Sequence, residues 1–278
     1  MENKKMLKMK FKMAIIGHGF VGKAVDYGFS HQNVEKTIID PLYNTTVRDI
    51  PTDAKLVFVC VPTPFGNFQI FRDVMEDLRK NGFFGNSVVV IKSTVPPDVL
   101  KEFKASTVIY NPEFLTEKFA SEDFINPSMH VFGGDPRQAD LLETYYNEYS
   151  LCSPAPVFKV SIEEASIIKY TINSFLATKV MFFNQIYQLC QETGFDFNKI
   201  TNAVGAEPRI GKSHTKVPGF DGKLGFGGAC FPKDTKAFID YSDKLSILKA
   251  VVDANNKIRA GYDLDDREKV QGVVYKSA

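Results

Sequence analysis

Short apolar runs punctuate the first 160 residues: MAII at 13–16, TIID at 37–40, KLVFVCV at 55–61, SVVVIK at 87–92, TVIY at 107–110, MHVF at 129–132 and PVFKV at 156–160. None alternates strictly between apolar and polar positions, the pattern of strands buried on both faces. Amphipathic segments such as FRDVMEDLRKNG and RQADLLETYYNEY lie between several of them. This rhythm predicts an α/β fold built on a Rossmann-like, doubly wound parallel sheet.

The texture changes after Val160, at SIEEASIIKYTINSFLATKVMFFNQIYQLCQETG. Ser161 and Glu164 make an S-x-x-E capping box and Gly194 supplies a stop. One helix of about 32 residues is therefore predicted over 162–193, about 48 Å long. A helix this long and apolar needs partners on more than one face, so subunit packing is expected. A second helix is predicted over 243–259, after the Gly- and Pro-rich loop KVPGFDGKLGFGGACFPKD, and the charged tail after Gly261 reads as partly mobile. The division expected is a sheet domain over 1–160 and a smaller, all-helical domain over 161–278.

Composition narrows the classes. A chain of 278 residues with 44% hydrophobic and 24% charged positions has room for about two ordinary globular domains. Its 34 basic and 33 acidic residues leave a net charge of +1, which gives no electrostatic argument for nucleic acid or an anionic membrane. Cys60, Cys152, Cys190 and Cys230 show neither a CxxC pair nor a disulfide framework, so thiols in a reducing cytoplasm are expected. The opening MENKKMLKMKFK is basic but has no apolar h-region, and reads as a solvated leader. No apolar run approaches the roughly 20 residues that span a bilayer. His18, His31, His130 and His214 lack metal-ligand spacing, and no metal is assigned.

Three motifs carry chemistry. Gly17-His18-Gly19-Phe20-Val21-Gly22 lies between the MAII strand and a helix. Gly17 permits a tight turn, Gly19 a close approach to pyrophosphate, and Gly22 helix-on-strand packing. GxGxxG alone is a weak signal, but Asp40 closes the next strand 18 residues after Gly22, where a carboxylate can accept from ribose hydroxyls and repel a 2′-phosphate. NAD is therefore favoured over NADP. Lys169 and Asn173 stand one turn apart on the long helix, able to face a developing oxyanion or, on spacing alone, to be a snorkelling lysine beside a capped amide. Gly225-Phe226-Gly227-Gly228-Ala229-Cys230-Phe231-Pro232-Lys233-Asp234 delivers a thiol flanked by a cation and a carboxylate. The other three cysteines read as inert. Val61-Pro62-Thr63-Pro64, Ser93-Thr94-Val95-Pro96-Pro97 and Asn111-Pro112-Glu113-Phe114-Leu115-Thr116-Glu117 each follow a strand, where ligands of open α/β sheets bind, though each taken singly is more often a capping or solvated turn.

The ordered set GHGFVG, Asp40, VPTP, STVPP, NPEFLTE, the KYTIN pair and GFGGACFPKD resembles the UDP-glucose/GDP-mannose dehydrogenase family. The resemblance implies that NAD oxidises the primary alcohol of a nucleotide sugar to a carboxylate in two hydride transfers. Cys230 would form a thiohemiacetal and then a thioester. Lys169 and Asn173 would stabilise oxyanions, Asp234 with Thr94 would position water, and Glu113 would act as base or water-holder. Cofactor contacts are implied at Gly17, Gly19, Phe20, Val21, Gly22, Asp40, Val61, Pro62, Thr63, Thr94, Glu117 and Lys233. Substrate contacts are implied at Glu113, Phe114, Leu115, Glu117, Lys169, Asn173, Arg209, Phe226 and Gly227. Family members pair through their central helical region, so a homodimer is implied. A third, nucleotide-gripping domain of the usual family members is expected to be missing here. Two other readings compete: a two-electron β-hydroxyacid or 6-phosphogluconate type dehydrogenase, and a non-catalytic NAD- or sugar-nucleotide-binding partner.

Overall fold

All seven apolar runs form strands in the computed structural model, which describes residues 10–275 apart from the side chain of Glu117. They are β1 (Phe11–Ile16), β2 (Val34–Ile39), β3 (Leu56–Val59), β4 (Val88–Ile91), β5 (Val108–Tyr110), β6 (His130–Gly133) and β7 (Val157–Val160). The strands pair in the order β2-β1-β3-β4-β5-β6-β7. The first five run parallel, while β6 is antiparallel to β5 and carries β7 parallel to itself. The sheet is thus doubly wound with its last two strands reversed. The basic leader 1–9 lies outside the described residues.

The inner strands read as continuous apolar runs because alternate residues enter two separate cores. Ala14, Ile16, Val57, Val59, Val89 and Ile91 face one, with Phe71, Met75 and Leu78 of α2 (Gln69–Lys80) and Val99 and Leu100 of α3 (Pro97–Lys101). Met13, Ile15, Leu56, Phe58, Val88 and Val90 face the other. That side holds Ala24 and Val25 of α1 (Phe20–Gly28), Phe124 of α4 (Ala120–Ile125), and Ala139, Leu142 and Tyr146 of α5 (Pro136–Tyr149). Both faces are covered, as a parallel sheet requires.

The long helix α6 spans Ile162–Thr193, 32 residues. Its capping box forms: the Ser161 hydroxyl accepts from Glu164 N–H at 3.2 Å, and the Glu164 carboxylate accepts from Ser161 N–H at 2.8 Å. Beyond it lie α7 (Phe197–Ala206), α8 (Phe231–Tyr241), α9 (Ser246–Arg259) and α10 (Asp266–Val270). Sequence patterning omits α7 and α8. The tail after Gly261, read as partly mobile, instead folds into α10 with Glu268 buried. The chain divides into two compact units: residues up to Thr63 with Asn67–Lys169, and Pro64–Gly66 with residues from Tyr170 on. No helix among the described residues is long and apolar enough to cross a membrane.

Candidate functional site

In the sheet unit the chain moves from β1 to β2 on one side and returns to β3 on the other, and the Gly17–Gly22 loop sits at that switch point. Gly17 has φ +86°, and a Cβ there would stand 2.6 Å from the Cys60 carbonyl oxygen. A Cβ on Gly22 would stand 1.9 Å from the Gly17 carbonyl oxygen, whereas one on Gly19 meets nothing within 4 Å. Two glycines are thus consumed by packing, and the third leaves an open approach to the first turn of α1. Phe20, Val21 and Gly22 open that helix, whose first N–H groups have no intrahelical acceptor. The donor set and the open cradle fit a dinucleotide pyrophosphate.

Asp40 closes the loop from below. Its carboxylate accepts from His18 N–H at 2.7 Å and from Leu42 N–H at 2.9 Å, so it holds the glycine loop while lone pairs remain for ribose hydroxyls. The His18 ring lies between the Tyr43 hydroxyl at 2.9 Å and Asp26 at 3.2 Å, a contact no sequence pattern signals. Val61 and Thr63 are buried after β3, with Pro62 exposed between them. The Ser93 hydroxyl donates to Val61 O at 2.7 Å, and Thr94 beside it is buried.

Glu113 and Lys169 are brought together although 56 residues apart. Lys169 Nζ donates to Glu113 Oε1 at 2.9 Å and to Glu113 O at 2.5 Å, and lies over the Phe114 ring at 5.4 Å. Glu113 Oε2 accepts from Leu115 N–H at 2.7 Å. Burial by itself would raise the Glu113 pKa, but the Lys169 charge and these hydrogen bonds hold it below the ordinary carboxylate range. The side chains are 3% and 6% exposed, so the costly buried ammonium has found its counter-ion. Glu117 opens a 3-10 turn over Glu117–Phe119, and its side chain is outside the described part.

Lys92 goes unnoticed in the sequence motifs, though a lysine ending the run SVVVI is itself a signal. It is buried, donates to Asn111 Oδ1 at 3.1 Å, and burial pushes its pKa down to about 8. Tyr146 donates to the same oxygen at 2.8 Å. Lys92, Asn111, Glu113 and Tyr146 line a cavity of about 250 Å³.

The helical unit holds the other candidate group. Cys230 caps α8, at the helix end whose dipole favours negative charge. One turn on, Asp234 N–H donates to Cys230 O at 3.0 Å. The buried Asp234 carboxylate receives Asn173 Nδ2 at 2.6 Å on one oxygen and Lys233 Nζ at 2.6 Å on the other. Three sequence candidates therefore form one cluster, a carboxylate, an amide and a cation, with Cys230 one helical turn before Asp234. Phe226 is buried in the loop that leads to Cys230. Arg209 is elsewhere on the surface, 88% exposed and paired with Glu207 at 2.7 Å. Among the described residues no group of three or more His, Cys, Asp or Glu has metal-site geometry.

Residues 41–150 match the NAD binding domain of the UDP-glucose/GDP-mannose dehydrogenase family, and residues 163–258 match its central domain. The chain belongs to the UDP-glucose/GDP-mannose dehydrogenase family. The first match begins one residue after Asp40, so the glycine loop rests on its own geometry. The UDP-glucose 6-dehydrogenase TuaD of Bacillus subtilis is 32% identical over 250 residues, 81% of this chain and 52% of that protein. A UDP-glucose 6-dehydrogenase of Rickettsia bellii is 31% identical over 300 residues, 98% of this chain and 66% of that protein. This member of the UDP-glucose/GDP-mannose dehydrogenase family spans about half the length of the first curated relatives it matches. Among solved structures, a UDP-glucose dehydrogenase of Pyrobaculum islandicum superimposes with a TM-score of 0.75 at 28% identity, over 89% of this chain and 68% of that one. A 3-hydroxyisobutyrate dehydrogenase of Mycobacterium tuberculosis shares the fold, with a TM-score of 0.70 at 15% identity over 95% of this chain and 99% of that one.

Proposed function

We propose that the chain supplies the NAD-binding and catalytic parts of a nucleotide-sugar 6-dehydrogenase, which oxidises the primary alcohol of a UDP-glucose-like sugar to the uronic acid. Residues 1–160 form the NAD-binding domain in this reading and 161–278 the helical domain. The observation that supports it most is the Asn173–Asp234–Lys233 cluster one helical turn after Cys230, because a two-electron oxidation has no use for a cysteine at the helix start that leads into a buried carboxylate.

NAD, when bound, accepts one hydride at each of two oxidations. The alcohol loses a hydride and a proton to become an aldehyde, and the Cys230 thiol adds across its carbonyl to give a thiohemiacetal. Loss of a second hydride from that carbon, and of the hydroxyl proton, leaves a thioester on Cys230. Water then attacks, the carbon–sulfur bond breaks, and the acid leaves as the thiol is restored. Asn173 and Lys169 are the donors to the oxyanions of these steps. Asp234, anchored on both oxygens, and Thr94 are the groups assigned to the water, and Glu113 is the second carboxylate able to take a proton. The Gly17–Gly22 loop and Asp40 orient the cofactor, with Lys233 and the Val61–Thr63 segment as further contacts. All four cysteines are free thiols, which suits a reducing compartment.

We also infer a homodimer. Phe175, Phe182 and Leu189 are 67%, 57% and 51% exposed and stand seven residues apart along one stripe of α6. Such a stripe suits a second copy of the same helix. Sedimentation of the parent as a dimer and of Phe182→Glu as a monomer is expected; a monomeric parent at micromolar concentration overturns this part.

NADH absorbance with a panel of nucleotide sugars tests the activity. Turnover with a UDP-sugar, lost in Cys230→Ala, is the expected result. Undiminished acid production by Cys230→Ala contradicts the thiol mechanism. NAD binding without turnover on any sugar favours a non-catalytic partner instead.

A further inference from the structure

The central-domain match stops at Ile258, one residue before a buried arginine and a tail that fold back on the cysteine loop. Arg259, at the end of α9, is 2% exposed; Nη1 donates to Asp221 Oδ2 at 2.8 Å and Nη2 to Gly225 O at 3.2 Å. Asn255, one turn earlier, accepts from Phe226 N–H at 2.7 Å and donates to Phe226 O at 3.1 Å. Asn184 of α6 accepts from Gly225 N–H at 2.8 Å.

The last fastening comes from Glu268 in the tail. A capping-box glutamate at the third helical position ordinarily faces solvent; this one is 1% exposed. Its Oε2 closes the box on Asp265 N–H at 2.9 Å. Its Oε1 accepts from Gly228 N–H at 3.2 Å and from the Tyr275 hydroxyl at 2.6 Å, and lies 3.9 Å from Arg259 Nη1. A Cβ on Gly227 would stand 2.5 Å from that same oxygen. The carboxylate is therefore seated directly against the Gly227–Gly228 peptide, two residues before Cys230.

We propose that Glu268 is a positioning residue for Cys230: the tail Asp265–Tyr275 is a strap whose carboxylate fixes the Gly228 peptide and so the direction in which the cysteine enters α8. Gly228 has φ +78°, a conformation with no side chain to hold it, so its N–H is the handle by which its torsions are set. Rotation there would be passed to the Ala229 and Cys230 peptides. Burying Glu268 and Arg259 costs solvation that an apolar tail would not, which is justified where a charge must specify one loop geometry. The proposal rests on the reading of Cys230 as the reacting thiol.

The test is alkylation of the full chain by iodoacetamide across a pH series, with the rate at each cysteine read by peptide mass spectrometry. Cys190, buried on α6 in the same unit, reports general loosening. Glu268→Ala is expected to change the Cys230 rate about tenfold, the scale of one buried charged hydrogen bond, while Cys190 stays protected. Glu268→Gln, which keeps an acceptor for Gly228 N–H, is expected to restore most of the parent rate. Unchanged Cys230 kinetics in Glu268→Ala, or labelling of Cys190 in step with Cys230, overturns the proposal. If Glu268→Ala does not fold, Tyr275→Phe removes one partner of the same carboxylate and is expected to shift the Cys230 rate in the same direction about threefold; no shift overturns it. Alkylation needs neither sugar nor NAD, so absence of turnover would refute the dehydrogenase reading and leave this result standing.

Discussion

Two glycine-rich loops present the candidate cofactor and cysteine sites, and they are held by opposite means. Gly17 and Gly22 are glycines because backbone lies against backbone, the Cys60 and Gly17 carbonyls standing where a Cβ would go. Gly225 and Gly227 are glycines because buried side-chain atoms lie there, Asn255 Oδ1 and Glu268 Oε1, each 2.5 Å from the Cβ that would be added. The first loop inherits its shape from a sheet with two apolar cores. The second depends on charges supplied by α9 and the tail. In the proposed reading the first loop is a pyrophosphate cradle, which needs only fixed N–H groups, and the second aims a nucleophile, for which side chains provide the finer adjustment.

The largest expected effect is in the sheet unit. Lys169→Met leaves the Glu113 carboxylate buried and unpaired, at a cost of about 3–5 kcal/mol in denaturant unfolding. Because the folded pKa of Glu113 lies below its ordinary 4.5, the pair stabilises above that value, and the penalty of the variant shrinks as pH falls through the folded pKa. A loss below about 1 kcal/mol would mean that the sheet unit does not depend on the pair.

Lys92 gives the next contrast, a buried cation without a hydrogen-bonded carboxylate of its own. Its pKa is about 8 in the fold against 10.5 for the free side chain, so between these values the unfolded chain holds the extra proton and stability rises with pH. The gain amounts to about 3 kcal/mol at most. Lys92→Met is expected to match or exceed the parent in urea midpoint at pH 7, with the difference moving in the parent's favour from pH 8 to 10. A difference constant over that range removes Lys92 from the account.

The loops themselves separate more finely. Gly22→Ala drives a Cβ into backbone and is expected to cost about 1–3 kcal/mol or more, while Gly227→Ala meets side-chain ends that can give and costs less. Gly19→Ala, in open space, should leave the melting temperature nearly unchanged and weaken NAD binding in a fluorescence titration. Equal losses at Gly22 and Gly227 would erase the distinction between the loops.

The sheet was legible because its inner strands, buried on both faces, are apolar at every position, while the edge strands β2 and β7 admit Glu35, Lys36 and Lys159 and are only partly buried. The reversal of β6 and β7 was not, since an apolar run carries no direction. The start of α8 was hidden by GFGGACFPKD, which reads as loop, although Pro232 in the first turn marks a helix start. In the tail, DLDDREK looks like a solvated charge run, and only the Asp265 and Glu268 spacing hints at a cap. The motifs carry the site candidates. Which of them meet was not legible, because the partners of Lys169 and Asn173 lie 56 and 61 residues away.

The claim that Cys230 carries a four-electron oxidation is tested most directly by counting NADH formed per uronic acid released from a purified nucleotide sugar. The account predicts two NADH per acid in the parent and no acid from Cys230→Ala. One NADH per sugar consumed, with the aldehyde accumulating and no acid released, would contradict it.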